Sequence, residues 1–234
     1  MNIINIMKSI TTYITEKMVY NKSTASKYNY QPKTKEELKD LMEHLIKERG
    51  NEGDFNDIDT SEITDMSKLF YQMKEFNGDI SKWDVSNVTN MEDMFNRCRS
   101  FNQPLNNWNV SNVITMSGTF YQCMLFNQDI SGWDVSKVEN MEDMFWRCYE
   151  FNQPLNNWNV SNTTNMSGMF YQCKSFNQDI SNWNVSKVTD MEYMFCKCES
   201  FNQDISNWDV SNVINVSNMF EECPIKAKNI PKFK

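Results

Sequence analysis

Seven cysteines are the residues of this sequence best suited to metal or redox chemistry. Six of them recur at steps of 25 residues: Cys98, Cys123, Cys148, Cys173, Cys198 and Cys223. Stacked units would bring neighbouring cysteines close enough for a disulfide or a soft metal ion. However, there is no Cys-x2-Cys pair of the kind found at zinc sites, and His44 is the single histidine. Met73 takes the place of cysteine in the first unit, which favours packing over ligation.

An asparagine column has the same step and invites a binding interpretation. Its members are Asn77, Asn102, Asn127, Asn152, Asn177 and Asn202. An inward asparagine between stacked units can instead pair its amide with backbone groups that the bend leaves without partners. We favour this structural interpretation of the column.

A tryptophan column could stack on sugars or nucleic-acid bases. It consists of Trp83, Trp108, Trp133, Trp158, Trp183 and Trp208. Stacking would require that the column faces solvent, and six exposed tryptophans in a row would be an aggregation hazard. The sequence therefore favours burial of this column.

Four acidic residues are the candidate binding residues of the surface. They are Asp79, Asp129, Asp179 and Asp204, and prolines occupy the same position in two intervening units, at Pro104 and Pro154. Carboxylates along one edge could bind calcium or a basic peptide. The alternative is that each carboxylate belongs to a solvated polar turn.

The residues needed for catalysis are scarce. With His44 as the single histidine, no serine, histidine and acid triad can be assembled, and no glycine-rich phosphate loop is present. No residue interrupts the repeat in the way that an active site usually does. We expect a protein that is not an enzyme, and we predict no catalytic residues, cofactor or metal.

The columns follow from one repeat that has a period of 25 residues. Two phenylalanine columns keep the same step: Phe76, Phe101, Phe126, Phe151, Phe176 and Phe201, and Phe70, Phe95, Phe120, Phe145, Phe170, Phe195 and Phe220. A unit of this length cannot bury its own apolar face, whereas stacked neighbours can supply the missing surface. The period therefore predicts a stack of about six units with continuous apolar columns.

Within a unit, the pattern predicts a short helix followed by short strands. Met91, Met94, Phe95 and Cys98 fall at the spacing of one helix face. The segment FNQDISNWDV at 201–210 alternates apolar and polar residues, as a strand does. Strands of neighbouring units would pair in parallel. The predicted fold class is an α/β repeat solenoid.

The flanks of the array divide the chain further. We expect residues 1–33 to be an N-terminal leader and residues 34–56 to form an amphipathic helical cap with Thr34 as N-cap and Gly50 as stop. The apolar face of this cap helix consists of Leu38, Leu41, Met42, Leu45 and Ile46. We expect residues 57–223 to form a repeat solenoid and residues 224–234 to form a basic C-terminal tail.

Bulk composition excludes several classes of protein. The formal charge of −8, from 31 acidic and 23 basic residues, argues against binding to nucleic acid. No apolar stretch approaches the roughly 20 residues of a membrane-spanning helix, so we expect no membrane insertion. The first residues lack the pattern of a secretory signal, which predicts an intracellular protein with reduced cysteines.

The unit VTNM-x2-MF-x2-C-x2-FN-x-DIS-x-WDVSN resembles the repeat of the DUF285 family, also called BspA-type leucine-rich-repeat surface proteins. The resemblance covers residues 57–223. It implies a fold like that of leucine-rich repeats and, for bacterial and protist surface members, adhesion or partner binding. Similar intracellular proteins occur in giant viruses of amoebae, which implies a host cytoplasm or virion location, with the cell surface as the alternative. The family offers no catalytic residues.

Together these features predict a protein-interaction scaffold that presents a repeated surface to a protein partner. Two alternatives remain open at the level of sequence. One is a metal or redox module on the cysteine column, and the other is a carbohydrate-binding or adhesion module. The identity of the partner and the oligomeric state are not predicted.

Overall fold

The computed structural model describes residues 27–233, so most of the predicted leader lies outside the described residues. Helix α1 spans Lys35–Arg49, and a 3-10 helix spans Ala227–Asn229. Turns and segments without regular secondary structure make up the chain between these two elements, apart from isolated bridges. The architecture is therefore dominated by irregular backbone that repeats.

Single-residue parallel bridges connect each 25-residue coil to the next. Six successive bridges run Asp65 to Asn90, Asn90 to Thr115, Thr115 to Asn140, Asn140 to Asn165, Asn165 to Asp190 and Asp190 to Asn215. Each bridge joins a residue to the residue one period later, so the coils stack in register. The sequence period is thus also the period of the structure.

The predicted α/β solenoid of short helices and parallel strands is wrong. The described residues 27–233 contain one α-helix, α1, and isolated bridges in place of a sheet. In the segment predicted to be helical, the amide of Met94 donates to Met91 O at 3.2 Å, three residues back. The amide of Phe95 instead donates to Thr119 O in the next coil at 2.9 Å. Alternate amides therefore leave the segment, which prevents a helical ladder.

Residues with a left-handed backbone conformation recur in every coil. Asp93 and Arg97 have φ of 55° and 66°, and the equivalent positions of the other coils also have positive φ. Such a conformation costs about 1 kcal/mol for a residue other than glycine, which the hydrogen bonds between coils offset. Successive three-residue turns still bury Met91, Met94 and Cys98, so the helix-like spacing correctly predicted burial.

The predicted strand segments are turns as well. In one coil, Asp129 Oδ1 and Asp134 Oδ1 each accept from the amide of the serine two residues later. The amide of Trp133 donates three residues back, to Ile130 O. Short polar side chains compete with a strand ladder for the backbone in this way. The alternation of apolar and polar residues therefore corresponds to a series of turns and not to a strand.

Stacked aromatic rings form the core of the array. Phe95 lies 5.6 Å from Phe120 between ring centroids, with an angle of 1° between the planes. Phe95 also stacks on Phe101 of its own coil at 4.1 Å. The same contacts recur from coil to coil, so two phenylalanine columns share one continuous interior.

Helix α1 packs against the amino-terminal end of this interior. Thr34 Oγ1 accepts from the amide of Glu37, and Gly50 ends the helix with φ of 80°. This helix, its N-cap and its stop confirm the prediction. Leu38, Leu41 and Leu45 are fully or almost fully buried in the same core as the first coils.

At the carboxyl-terminal end of the array, residues of the tail form hydrogen bonds to the last coil in the place where a further coil would pack. Lys226 N donates to Asn202 Oδ1 at 2.9 Å, and Asn229 Nδ2 donates to Asn202 O at 3.0 Å. Ile205 N donates to Asn229 O at 3.0 Å. The tail covers part of this end, whereas Ile214 in the last coil is 87% exposed.

Candidate binding surface

The cysteine column is built into the backbone. Each thiol of the column from Cys98 to Cys198 donates to the carbonyl oxygen of the phenylalanine 28 residues earlier, as Cys148 Sγ does to Phe120 O at 3.0 Å. Cys196, which is outside the column, contacts Glu221 instead. Burial raises the pKa of the Cys148 thiol far above its ordinary value. Metal ligation and nucleophilic attack need the thiolate. Residues 27–233 contain no cluster of three or more histidines, cysteines or acids that could hold a metal.

The asparagine column is structural, as predicted. The Oδ1 atom of Asn127 accepts from the backbone amide of Asn152, one coil later, at 3.0 Å. Gln153 Nε2 in that later coil donates to both Asn127 O and Asn127 Oδ1 at 2.9 Å. These asparagines thus hold adjacent coils together, and their side-chain oxygens are already used.

The tryptophan column is buried, as predicted. Its six members are 3–5% exposed, and each indole N–H donates to a carbonyl oxygen 28 residues earlier. Trp133 Nε1, for example, donates to Leu105 O at 3.0 Å. The column therefore does not offer the exposed platform that carbohydrate stacking would need.

The four candidate acids lie in turns at the surface. Each accepts from the amide of the serine two residues later: Asp79, Asp129, Asp179 and Asp204. These hydrogen bonds lower the pKa of Asp129, Asp179 and Asp204. For Asp79, burial acts to raise the pKa, but the hydrogen bond from Ser81, together with the polar side chain of Asn56 nearby, outweighs it. One oxygen of each carboxylate is thus used to shape its turn.

A groove of about 370 Å³ lies between α1 and the first coil. Ile46 and Met73 contribute apolar surface, and Glu43, Lys47 and Glu75 contribute charges of both signs. The groove is open to solvent, and its acidic and basic residues would not select a ligand of one charge.

An outward aromatic column is the surface feature that the sequence analysis missed. Trp146 stacks on Tyr171 at 3.7 Å between ring centroids and on Tyr121 at 5.8 Å. Tyr193 approaches Tyr171 edge-on at 6.2 Å. All of these rings except Tyr193 occupy the position that directly follows the core phenylalanine, and all are partly exposed. The signal was present, because Trp146 is the one tryptophan of seven outside the tryptophan column.

A carboxylate lies beside these rings. Asp143 is partly buried, and Gly168 of the next coil lies against both Asp143 and Trp146. Burial, with the negative charges of Glu142 and Asp93, raises the pKa of Asp143 to about 7. We call Tyr121, Asp143, Trp146 and Tyr171 the aromatic surface. It combines exposed rings with a carboxylate whose charge the protein does not neutralise.

No helix among residues 27–233 is long and apolar enough to cross a membrane. The family described as "Mycoplasma protein of unknown function, DUF285" matches residues 39–156 and 126–233. Neither the curated proteins nor the solved structures contain a match to the chain. The two matched regions overlap within the array of coils, as expected for a repeat.

Proposed function

We propose a function on the premise that this chain belongs to the DUF285 family, whose repeat it contains. The protein is a non-enzymatic scaffold that binds a protein partner through the aromatic surface. The observation that supports this proposal most directly is the partly exposed stack of Tyr121, Trp146 and Tyr171.

Aromatic side chains are enriched at the centres of protein interfaces, where they bury a large area at a low cost in conformational entropy. The core does not require these rings, because the buried hydrophobic cluster of phenylalanines and other apolar side chains does not include them. Asn96 and Cys196 occupy the same position in other coils, so the stack tolerates unrelated side chains there. The rings are therefore available for a partner.

The stack also holds the rings in place before a partner arrives. Gln122 N donates to Trp146 O at 2.6 Å, and Arg147 N donates to Tyr171 O at 2.7 Å. Arg147 Nε donates in addition to Gln172 Oε1 at 3.0 Å. Hydrogen bonds between coils thus fix the backbone beside each ring. A rigid surface loses little entropy on binding, which favours affinity.

The residues suited to chemistry already have structural roles, which supports a scaffold over the alternatives. The column thiols donate to backbone carbonyls, and the asparagine oxygens accept from backbone amides. A metal or redox module would have to break these bonds first. Carbohydrate binding through the tryptophan column would require rings that the fold buries.

Capture of a partner and its loss from matched variants test the proposal. The wild-type protein, Trp146→Ala and Gly132→Ser would each be used to isolate partners from cells that express the chain, and partners would be identified by mass spectrometry. Gly132 is exposed in another part of a coil and has open space around it. We expect the purified partner to bind Trp146→Ala at least tenfold more weakly, and Gly132→Ser as tightly as wild type, by calorimetry. Equal binding by all three proteins would contradict the proposal.

A further inference from the structure

We propose that Asp143, Trp146 and Gly168 form a socket for a cationic side chain, lysine or arginine, of a protein partner. The inference rests on the proposed function, because it specifies what the aromatic surface recognises. It also makes a chemical prediction that can be tested without the partner.

The glycine brings the other two residues together. Gly168 has φ of 61°, and a Cβ atom there would lie 2.0 Å from Asp143 Oδ1 and 2.7 Å from Cε3 of Trp146. Any other residue would displace the carboxylate, the indole or both. Because residue 168 is glycine, the Asp143 carboxylate and the edge of the Trp146 ring, both from the preceding coil, can occupy the space next to its Cα atom.

The same position 50 residues earlier shows what Asp143 lacks. Asp93 Oδ1 accepts from Asn96 Nδ2 at 2.6 Å, and Lys68 Nζ lies 3.8 Å from Asp93 Oδ2. At the second site Trp146 replaces Asn96, and Gly118 replaces Lys68. Within residues 27–233 the Asp143 carboxylate therefore has no hydrogen bond and no ion pair.

A lysine or arginine side chain would supply both missing interactions. Its charge would pair with the carboxylate, and its methylene groups would pack against the edge of the Trp146 ring, whose faces stack on Tyr171 and Tyr121. Glu142 and Asp93 add negative charge at the site. The nearest basic residue in sequence, Arg147, is held by Gln172 through its Nε atom. The pKa of Asp143 is about 7, so a proton and a bound cation would compete for its carboxylate near neutral pH.

Capped amino acids provide the probes. Nα-acetyl-lysine methylamide and Nα-acetyl-arginine methylamide would be titrated into ¹⁵N-labelled protein, with Nα-acetyl-norleucine methylamide as the uncharged control. The indole N–H signal of Trp146 would be assigned by its loss in Trp146→Phe. We expect saturable shifts of this signal with the two cationic probes, at dissociation constants on the order of millimolar, and none with norleucine.

Two aspartate variants separate the socket from a general charge effect. Asp143→Asn should weaken binding of the lysine probe at least about fivefold, whereas Asp93→Asn should change it by less than about twofold. Asparagine suits the backbone at Asp143, because Asn218 occupies the equivalent position with φ of 54°. Equal weakening by both variants would contradict the socket and would indicate long-range attraction.

Binding should also depend on pH. The charged groups that act on Asp143 are Glu142 and Asp93, both acids. Because only the ionised carboxylate attracts a cation, affinity should be roughly tenfold higher at pH 8 than at pH 6. Asp143→Asn should abolish this dependence. Affinity that does not change with pH in the wild-type protein would overturn the inference.

The probe titration and the partner experiment fail independently. Lack of binding by both cationic probes would remove the socket but leave the scaffold, if Trp146→Ala still loses the partner. Conversely, a socket that binds the probes would stand even if no partner required Trp146.

Discussion

Two columns that are adjacent in sequence differ completely in composition. The inward column is uniform: Phe70, Phe95, Phe120, Phe145, Phe170, Phe195 and Phe220. The column one residue later changes in almost every coil: Tyr71, Asn96, Tyr121, Trp146, Tyr171, Cys196 and Glu221. The first six inward rings are fully buried, whereas Tyr71 is 39% exposed and Trp146 is partly exposed.

This difference shows where a repeat stack can vary. An inward ring contacts the equivalent ring of both neighbouring coils, so a change of shape would disturb three coils at once. The following residue contributes its amide or its carbonyl to the same ladder whatever its side chain is. Uniform columns therefore explain stability, and the variable column is where the proposed partner would find residues that differ between coils.

The sharpest test compares Phe120 with Tyr121. Phe120 lies 5.6 Å from Phe95 and 5.7 Å from Phe145, so Phe120→Ala would leave a cavity between three coils. We expect this variant to lose about 3–5 kcal/mol of unfolding free energy, and Tyr121→Ala to lose less than about 1 kcal/mol. Urea denaturation followed by circular dichroism and by tryptophan fluorescence would measure both. Similar losses would mean that the outward rings also belong to the core.

A glycine pair tests whether the outward surface imposes its own structural requirement. Gly168→Ala would place a methyl group against the Asp143 carboxylate in a left-handed backbone, and we expect a loss of about 2–3 kcal/mol. Gly132→Ala, which meets no atom within 4 Å, should stay within about 0.5 kcal/mol of wild type. Thermal unfolding would measure both variants. A tolerated alanine at 168 would show that the carboxylate and the indole need not approach each other.

Two members of the cysteine column allow an interior coil to be compared with the last coil of the array. Cys148→Ala would remove a buried hydrogen bond to Phe120 O and leave a small cavity, at a cost of about 2 kcal/mol. Cys223 is only partly buried in the last coil, and its hydrogen bond to Phe201 O is long, at 3.5 Å. Cys223→Ala should therefore cost less than about 1 kcal/mol. The same denaturation experiment would measure both variants, and equal costs would contradict the role assigned to stacking.

Sequence periodicity predicted the inward columns because burial repeats strictly in a stack. It identified the buried tryptophans and cysteines and the role of the asparagines, and capping signals identified α1. It did not predict the backbone between them. Met91, Met94 and Cys98 have helical spacing, but a run of three-residue turns buries the same positions, and only the hydrogen-bond partners distinguish the two. The Arg97 side chain gives no indication of positive φ, whereas Asp93 shares its column with Gly118 and Gly168, a sign of the left-handed conformation that went unused.

The aromatic surface was missed for a related reason. The position at which Asn96 in one coil corresponds to Trp146 in another varies, so it does not belong to any constant column. The relation between Asp143 and Gly168 depends on contact between coils, 25 residues apart, and on a left-handed glycine. Departures from the period, of which Trp146 is the clearest, were the signal that could have located it.

The smallest expected effect is the change in unfolding free energy as Asp143 ionises. It compares the aromatic surface with Asp143 protonated and with Asp143 charged. The Asp143 pKa of about 7 in the folded protein lies above the ordinary value of 3.8, so the folded state binds the proton more tightly than the unfolded state. Stability from this group is therefore full below pH 4, falls as the pH rises to 7, and stays lost above it. Asp143→Asn removes this loss, so its unfolding free energy should match wild type near pH 4 and exceed it by about 1 kcal/mol at pH 8. Asp93→Asn should give no such gain, because it removes a negative charge that interacts favourably with Asn96 and Lys68. Urea denaturation of the three proteins at both pH values would measure the gap, and a gap that does not grow with pH would mean that Asp143 has a partner in solution.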